Sequence, residues 1–143
     1  MQSQNDSQRH IWLLAGTSEG PWIAKTLTQI GWRVSVSVVT KEASYAYSAI
    51  ALESMWIGAL DGIQGIRKVL ERAQACHKKF EVVIDATHPF AVLISSNLGI
   101  ICNQLNTPLI RYERPTTHSD SSNLINKIEE IPLSSLNKRR ILL

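Results

Sequence analysis

The stretch that decides the fold reads Val82-Val83-Ile84-Asp85-Ala86-Thr87-His88-Pro89-Phe90-Ala91. Its first three residues are β-branched and apolar, which predicts a strand buried on both faces of a parallel sheet. An acid, a hydroxyl and an imidazole follow directly, and Pro89 suits the first turn of a helix. Because ligands of open α/β sheets bind outside the carboxyl ends of the strands, we expect this turn to form one wall of a binding crevice.

A second turn of this kind follows the first predicted strand, at residues 11–15. The turn reads Gly16-Thr17-Ser18-Glu19-Gly20, and Pro21 opens the helix after it. Helical and strand patterns then alternate, which predicts an α/β fold, a Rossmann-like open parallel sheet of order 3-2-1-4-5 with helices on both faces. That order places the ends of strands one and four side by side, so the two turns should meet where the strand order reverses.

Composition divides the chain into three parts. Residues 1–10 are polar and predict a disordered tail, with His10 at the surface. Residues 11–115 carry the alternating pattern and predict the Rossmann-like domain. Residues 116–143 predict a linker followed by the first elements of a second domain that is missing from this chain, because they end on the apolar pattern Arg139-Arg140-Ile141-Leu142-Leu143.

The bulk properties describe an ordinary globular chain. Of its 143 residues, 44% are hydrophobic and 19% are charged, and the net charge of +3 is scattered. This predicts no nucleic-acid partner but fits an anionic small ligand. No signal-peptide or membrane-span pattern is present, so we expect a cytoplasmic protein without a membrane partner. Cys76 and Cys102 lack metal or redox spacing and indicate buried or inert thiols.

The first turn has the chemistry of an anion site. Its glycines let the backbone approach a phosphate at a helix start, and Thr17 and Ser18 add hydroxyl donors. It matches neither G-x-G-x-x-G nor a Walker loop, so an ordinary turn in which Thr17 or Ser18 caps the helix stays open. Thr40-Lys41 stands where an acid usually follows strand two, which favours the 2′-phosphate of NADP over NAD, although Lys41 in a solvated loop is the alternative.

The second turn fits several other kinds of site poorly. A phospho-acceptor receiver domain needs an acidic pair after strand one, where this chain has Gly16-Thr17-Ser18. A Ser-His-Asp hydrolase needs a G-x-S-x-G elbow, and a metal site needs further histidines converging on His88; the chain has neither pattern. A purely structural role, in which His88 hydrogen-bonds the turn and Asp85 caps the helix, stays open. The same residues predict no metal.

Together the two turns resemble a known family. The segments Leu13-Leu14-Ala15-Gly16-Thr17-Ser18-Glu19 and Val83-Ile84-Asp85-Ala86-Thr87-His88-Pro89-Phe90-Ala91 are similar to those of precorrin-6A and cobalt-precorrin-6A reductases. A third match is Ile110-Arg111-Tyr112-Glu113-Arg114-Pro115, and the resemblance extends from about residue 11 to 143. It implies two Rossmann-like halves that hold NADPH, or alternatively NADH, against a corrin-ring precursor whose double bond is reduced in cobalamin biosynthesis.

The resemblance also implies roles for individual positions. On the cofactor side it places Gly16, Thr17, Ser18 and Glu19, to which the position after strand two adds Thr40 and Lys41. In the crevice it implies catalytic roles for His88 and Thr87 and substrate contacts from Asp85, Pro89, Phe90, Arg111 and Arg114. The two arginines would pair with carboxylates of the macrocycle, with a local surface network through Glu113 as the alternative. His88 is a candidate proton donor, with solvent as the alternative.

The chain departs from the family pattern in three respects. Gly20-Pro21 stands where a small residue and Arg are common, and Thr116-Thr117 stands where an aromatic residue often follows. We also expect the second half that the resemblance implies to be missing from this chain. Two alternatives therefore stay open: a truncated, inactive nucleotide-binding remnant, and another Rossmann-type reductase, although no Tyr-x-x-x-Lys pair of the short-chain enzymes occurs. The residues also leave open whether the substrate contains cobalt or is metal-free, and what the oligomeric state is.

Overall fold

The computed structural model describes residues 9–113 and 140–142. Its strands are β1 (His10–Ala15), β2 (Arg33–Val38), β3 (Ser54–Ile57), β4 (Val82–Ala86), β5 (Leu109–Arg111) and β6 (Arg140–Leu142). They form one parallel sheet in the order β3-β2-β1-β4-β5-β6. The predicted order of the first five strands is confirmed. The carboxyl ends of β1 and β4 are neighbours in this order, so the chain segments that follow them leave the sheet side by side.

Helices cover both faces of the sheet, as predicted. They are α1 (Gly20–Gln29), α2 (Lys41–Ser44), α3 (Gly62–Ala75) and α4 (Val92–Gln104), with a 3-10 turn at Tyr45–Tyr47. One core lies between the sheet and α1, where Leu13 and Ile84 point, and the other lies beneath α3 and α4, where Trp12 and Val83 point. This alternation buries both faces of β1 and β4, which explains their uninterrupted apolar sequences.

The expectation that His10 lies at the surface is wrong. It begins β1, and 3% of its surface is exposed. Its Nδ1 lies 2.8 Å from the Lys78 carbonyl oxygen and its Nε2 lies 2.8 Å from Ser35 Oγ. A carbonyl only accepts, so Nδ1 donates and Nε2 accepts from the serine hydroxyl in the neutral ring. Burial accordingly lowers the pKa of His10 below its ordinary value.

The apolar strand predicted near the end of the sequence is present as β6. It pairs in parallel with β5, with Ile141 opposite Ile110, and therefore extends the same sheet. The division of the chain at residues 115 and 116 stays a prediction. The expected tail at residues 1–8, the linker and Arg114 lie outside the described residues.

Candidate active site

The two turns predicted to form a crevice lie against each other. The backbone N–H of Gly16 donates to the carbonyl oxygen of Ala86 at 3.2 Å, one residue beyond the last paired positions of β1 and β4. A Cβ added to Gly16 would lie 3.0 Å from the backbone nitrogen of His88 and 3.2 Å from Thr87 Cα. The expectation that both turns share one edge of the sheet is thus confirmed, and glycine is what allows them to approach so closely.

The first turn, residues 16–19, presents polar groups at the start of α1. The helix begins at Gly20, whose N–H donates to the carbonyl oxygen of Thr17 at 3.2 Å, and Glu19 occupies the N-cap position without a side-chain capping bond. The alternative in which Thr17 or Ser18 caps the helix is therefore wrong. Within the described residues the hydroxyls of Thr17 and Ser18 have no hydrogen-bond partner. They remain free to bind a ligand beside the electropositive helix end.

The second turn, residues 87–91, is held from below by a buried polar cluster of Asp85, Thr87, Ser95 and Arg111. Asp85 Oδ1 accepts from the Thr87 hydroxyl at 2.6 Å, from the Thr87 N–H at 3.1 Å and from Arg111 Nη1 at 2.8 Å. The same guanidinium nitrogen lies 3.0 Å from Thr87 Oγ1 and 3.3 Å from Ser95 Oγ. The cluster thus ties the ends of β4 and β5 to α4 and fixes the position of Thr87.

The cluster is shielded from water. Asp85 is fully buried, and Arg111 is 4% exposed. Asp85 Oδ2 is also buried and makes no hydrogen bond within the described part of the chain. Since an unpaired charge in such surroundings costs far more than a paired one, the Arg111 guanidinium is required by Asp85. Arg111 is therefore not a surface residue, although its Nε lies 3.9 Å from Glu113 Oε1 as the local network with Glu113 requires. The third member of that network, Arg114, lies outside the described residues.

The two cysteines differ in their surroundings. Cys102, on α4, is buried, and burial together with the charge of Asp85 raises the pKa of its thiol to about 12. Cys76 follows α3 and is exposed, so the expectation of a buried or inert thiol is confirmed only for Cys102. The Cys102 thiol therefore stays protonated at neutral pH, whereas Cys76 is open to reagents in solution.

His88 is exposed at the tip of the second turn. Its Nδ1 accepts a hydrogen bond from the backbone N–H of Phe90 at 3.1 Å. The neutral ring therefore carries its proton on Nε2, which faces away from this bond. The ring also lies against the Phe90 ring, with centroids 5.0 Å apart at an interplanar angle of 49°. The arrangement fixes the imidazole and leaves its Nε2–H donor without a partner among the described residues.

Exposed apolar side chains surround His88. Phe90 is 88% exposed, Val92 is 68% exposed and Leu93 is 75% exposed. In the sequence the spacing of Phe90, Ile94 and Leu98 predicts one buried helix face, but this is wrong for Phe90 because α4 begins only at Val92, with Ala91 at its N-cap. Pro89 likewise precedes the helix and lies exposed in the turn. Such a patch beside a polar turn is typical of a surface that another molecule or another part of a protein covers.

Thr40 and Lys41 follow β2, the neighbour of β1 in the sheet. Thr40 Oγ1 accepts from the backbone N–H of Ala43 at 3.1 Å and caps α2, while Lys41 is exposed. Arg114, the remaining predicted contact, lies outside the described residues. Ser95 is the residue that sequence analysis missed, since a serine inside an apolar helix gives no signal of its partner on another strand.

Two features are absent from the residues described, 9–113 and 140–142. No three metal-ligating side chains come together within them. None of the helices there has the length and apolar content that a membrane span requires.

Comparison with known proteins agrees with this geometry. The family model for precorrin-6x reductase CbiJ/CobK matches residues 10–143. The chain is 34% identical over 110 residues to the cobalt-precorrin-6A reductase of Synechocystis sp., covering 77% of this chain and 40% of that one. It is 32% identical over 106 residues to the precorrin-6A reductase of Mycobacterium tuberculosis, covering 73% and 39% of the two chains.

A solved structure is also similar. The CobK precorrin-6A reductase matches with a TM-score of 0.60 and 27% identity, over 87% of this chain and 48% of that one. The chain thus spans about two-fifths of the length of the curated relatives it matches and about half of the solved structure. With a family model that covers nearly all of the sequence, the chain belongs to the precorrin-6x reductase CbiJ/CobK family.

Proposed function

We propose that this chain forms one side of a site that reduces precorrin-6A, or its cobalt-containing form, with NADPH in the synthesis of the corrin ring. The relatives it matches bear these substrates in their names. The observation that carries the proposal is the close approach of Gly16 to His88, because it joins a turn suited to an anion to a turn with a hydrogen-bond donor. A binding edge for a cofactor thereby adjoins a surface for a second molecule.

The residues present fit a dinucleotide on the first turn. Gly16 leaves the backbone open where a Cβ would press on the second turn, and the hydroxyls of Thr17 and Ser18 are available to phosphate oxygens. The start of α1 adds its N–H groups and positive potential. Lys41, at the end of the neighbouring strand, would meet a ribose 2′-phosphate and favours NADPH over NADH. When bound, the nicotinamide supplies the hydride for the reduction.

The second turn would receive the tetrapyrrole. The apolar surface of the tetrapyrrole would pack on the exposed Phe90 ring and on the neighbouring Val92 and Leu93. His88 offers Nε2–H as a hydrogen-bond donor to the ring, and the bond from the Phe90 N–H keeps the imidazole in that orientation. Because Nδ1 accepts this bond, the ring acts by orienting the substrate, and the proton that accompanies the hydride comes from solvent.

In this proposal Thr87 and Arg111 do not contact the cofactor or the substrate directly. The Thr87 hydroxyl donates to Asp85, and Arg111 is turned inward onto the same carboxylate. Both groups are therefore positioning residues that hold the second turn at the edge of the crevice. Carboxylates of the macrocycle would then depend on other cations, of which Arg114 is the candidate by sequence.

The cofactor part is tested by isothermal titration of the chain with NADPH and NADH. We expect both to bind and NADPH to bind more tightly. Lys41→Gln should reduce the affinity for NADPH about tenfold and leave that for NADH unchanged, since one ion pair to a phosphate is lost. Lys25→Gln removes an exposed cation of α1 and serves as the control. Absence of binding to both nucleotides would contradict the proposal.

The catalytic part is tested by mixing the chain with NADPH and precorrin-6A and following the loss of the nicotinamide absorbance. We expect turnover, and we expect His88→Gln to lower kcat with little change in the affinity for NADPH. Tight cofactor binding with no turnover by the unmodified chain would instead support a nucleotide-binding protein without reductase activity.

A further inference from the structure

A second concave site lies on another part of the sheet, beneath α3. The cavity has a volume of about 400 Å³ and is lined by β2, β3, α3 and the segment before β4. This volume falls within the range of small-molecule sites. The lining residues include none of those assigned to the candidate active site. The cavity is therefore separate from the candidate active site, and its lining residues indicate which class of ligand it could bind.

Aromatic rings form an apolar wall of the cavity. Trp56 and Phe80 line it and meet edge to face, with centroids 6.3 Å apart and an interplanar angle of 85°. Behind them Trp12 stacks on Phe80 at 5.7 Å and is fully buried, so the wall is backed by the core. Trp56 is nevertheless 39% exposed. Phe80 is only 2% exposed, so Trp56 is the accessible ring of this wall, and such an aromatic surface favours a flat apolar ligand.

A hydrogen-bond donor stands beside the rings. Ser37 lines the cavity and is 7% exposed, and its Oγ accepts from Trp12 Nε1 at 2.8 Å. An indole N–H only donates, so the proton of the Ser37 hydroxyl is left for another acceptor. Ser35, two residues earlier and therefore on the same face, uses its own proton on the neutral His10 ring. The cavity thus presents a single oriented hydroxyl donor from β2.

Two cations of α3 complete the lining. Lys68 and Arg72 both line the cavity and are exposed, and their spacing of four places them on one face of the helix. Among the residues the structure describes, neither forms an ion pair. By contrast, Arg67 pairs with Glu71, and Lys78, which also lines the cavity, pairs with Glu53 at 3.0 Å. The positive potential of Lys68 and Arg72 is therefore not cancelled by an acidic neighbour.

From these walls we propose that the cavity beneath α3 binds a small anionic ligand with a planar apolar body. The body would lie on Trp56, which Phe80 supports from beneath. The anionic group would pair with Lys68 and Arg72, and Ser37 would donate to an acceptor between them. Aromatic stacking selects for a planar apolar body and guanidinium pairing selects for an anionic group, so a ligand that has both should bind best. Such a site is independent of the proposed cofactor edge.

The first test uses a matched pair of fluorescent probes on the full chain. Anilinonaphthalene sulfonate carries the anion on a planar body, and N-phenylnaphthylamine has the same body without charge. We expect Lys68→Gln/Arg72→Gln to lower the affinity for the anionic probe about tenfold and to leave the affinity for the neutral probe unchanged. The control Lys25→Gln/Lys79→Gln removes two exposed cations outside the cavity and should change neither affinity. Equal loss for both probes, or no loss, would overturn the proposal.

The second test locates the probe through Cys76, which is exposed and lines the cavity. The other cysteine, Cys102, is buried and has a raised pKa, so iodoacetamide should modify Cys76 alone. We expect saturating anilinonaphthalene sulfonate to slow this alkylation several-fold, and we expect NADPH neither to slow it nor to displace the probe. An unchanged alkylation rate, or displacement of the probe by NADPH, would contradict a separate site.

Discussion

Replacement of Arg111 by methionine is the substitution whose cost the structure predicts most sharply. The side chain is of similar length but carries no charge, so Asp85 would be left as an unpaired carboxylate at zero exposure. Three hydrogen-bond contacts at 2.8, 3.0 and 3.3 Å are lost with the guanidinium. Breaking a buried pair in this manner costs about 3–5 kcal/mol. We expect Arg111→Met to lower the free energy of unfolding by that amount.

Urea unfolding followed by circular dichroism measures the loss. With a slope of about 1.5 kcal/mol per molar urea, the midpoint should fall by about 2–3 M. The matched control is Arg33→Met, because Arg33 lies 3.9 Å from Glu53 and both side chains are partly exposed, at 17% and 23%. A pair of that kind contributes about 1 kcal/mol or less.

A double variant identifies the cause of the loss. Asp85→Asn/Arg111→Met removes both charges, so its free energy of unfolding should exceed that of Arg111→Met alone. This comparison also holds if the single variant is too unstable to fold in the absence of urea. The reasoning is refuted if Arg111→Met costs no more than the Arg33 control, or if the double variant is less stable than the single one.

Two further predictions concern positions outside the buried polar cluster. Gly20→Ala should destabilise the protein by about 1–3 kcal/mol, because the new Cβ would overlap the Tyr47 hydroxyl and lie 2.9 Å from Ala15 Cβ. In thermal unfolding, Gly20→Ala/Tyr47→Phe should recover part of this loss. Losses of the two substitutions that simply add would contradict the proposed overlap. Burial lowers the pKa of His10 in the folded protein, so the unfolded chain binds a proton at a higher pH than the folded one does. The free energy of unfolding should therefore fall as the pH drops below about 6.5, the ordinary pKa of histidine. His10→Gln should flatten this decline, whereas His77→Asn at an exposed position should preserve it, and an equal slope in all three proteins would count against the burial argument.

The order of the sheet could be predicted from local patterns alone. Residues 11–15 and 82–84 are apolar without interruption because β1 and β4 are central strands covered by helices on both sides. Polar residues that follow two such strands belong at the carboxyl edge, which is why the meeting of Gly16 and His88 could be expected before any coordinates.

The errors arose where a residue's partner lies far away in the sequence. His10 is buried because it finds Ser35 and the Lys78 carbonyl oxygen, and nothing next to it in the sequence indicates either partner. Arg111 was expected to face substrate, yet it turns towards Asp85, 26 positions earlier in the chain. Phe90 continued the apolar spacing of α4, but spacing does not report that the helix starts two residues later.

A titration by nuclear magnetic resonance tests the central claim most directly, namely that the two turns form one cofactor-binding edge. Amide signals of the labelled chain are followed as NADPH is added. We predict that the signals of Thr17 and Ser18 and those of Thr87 and His88 shift together along one saturable curve. The signals of Lys25 and Cys76 should stay in place. Shifts confined to one turn, or none at either, would contradict the account.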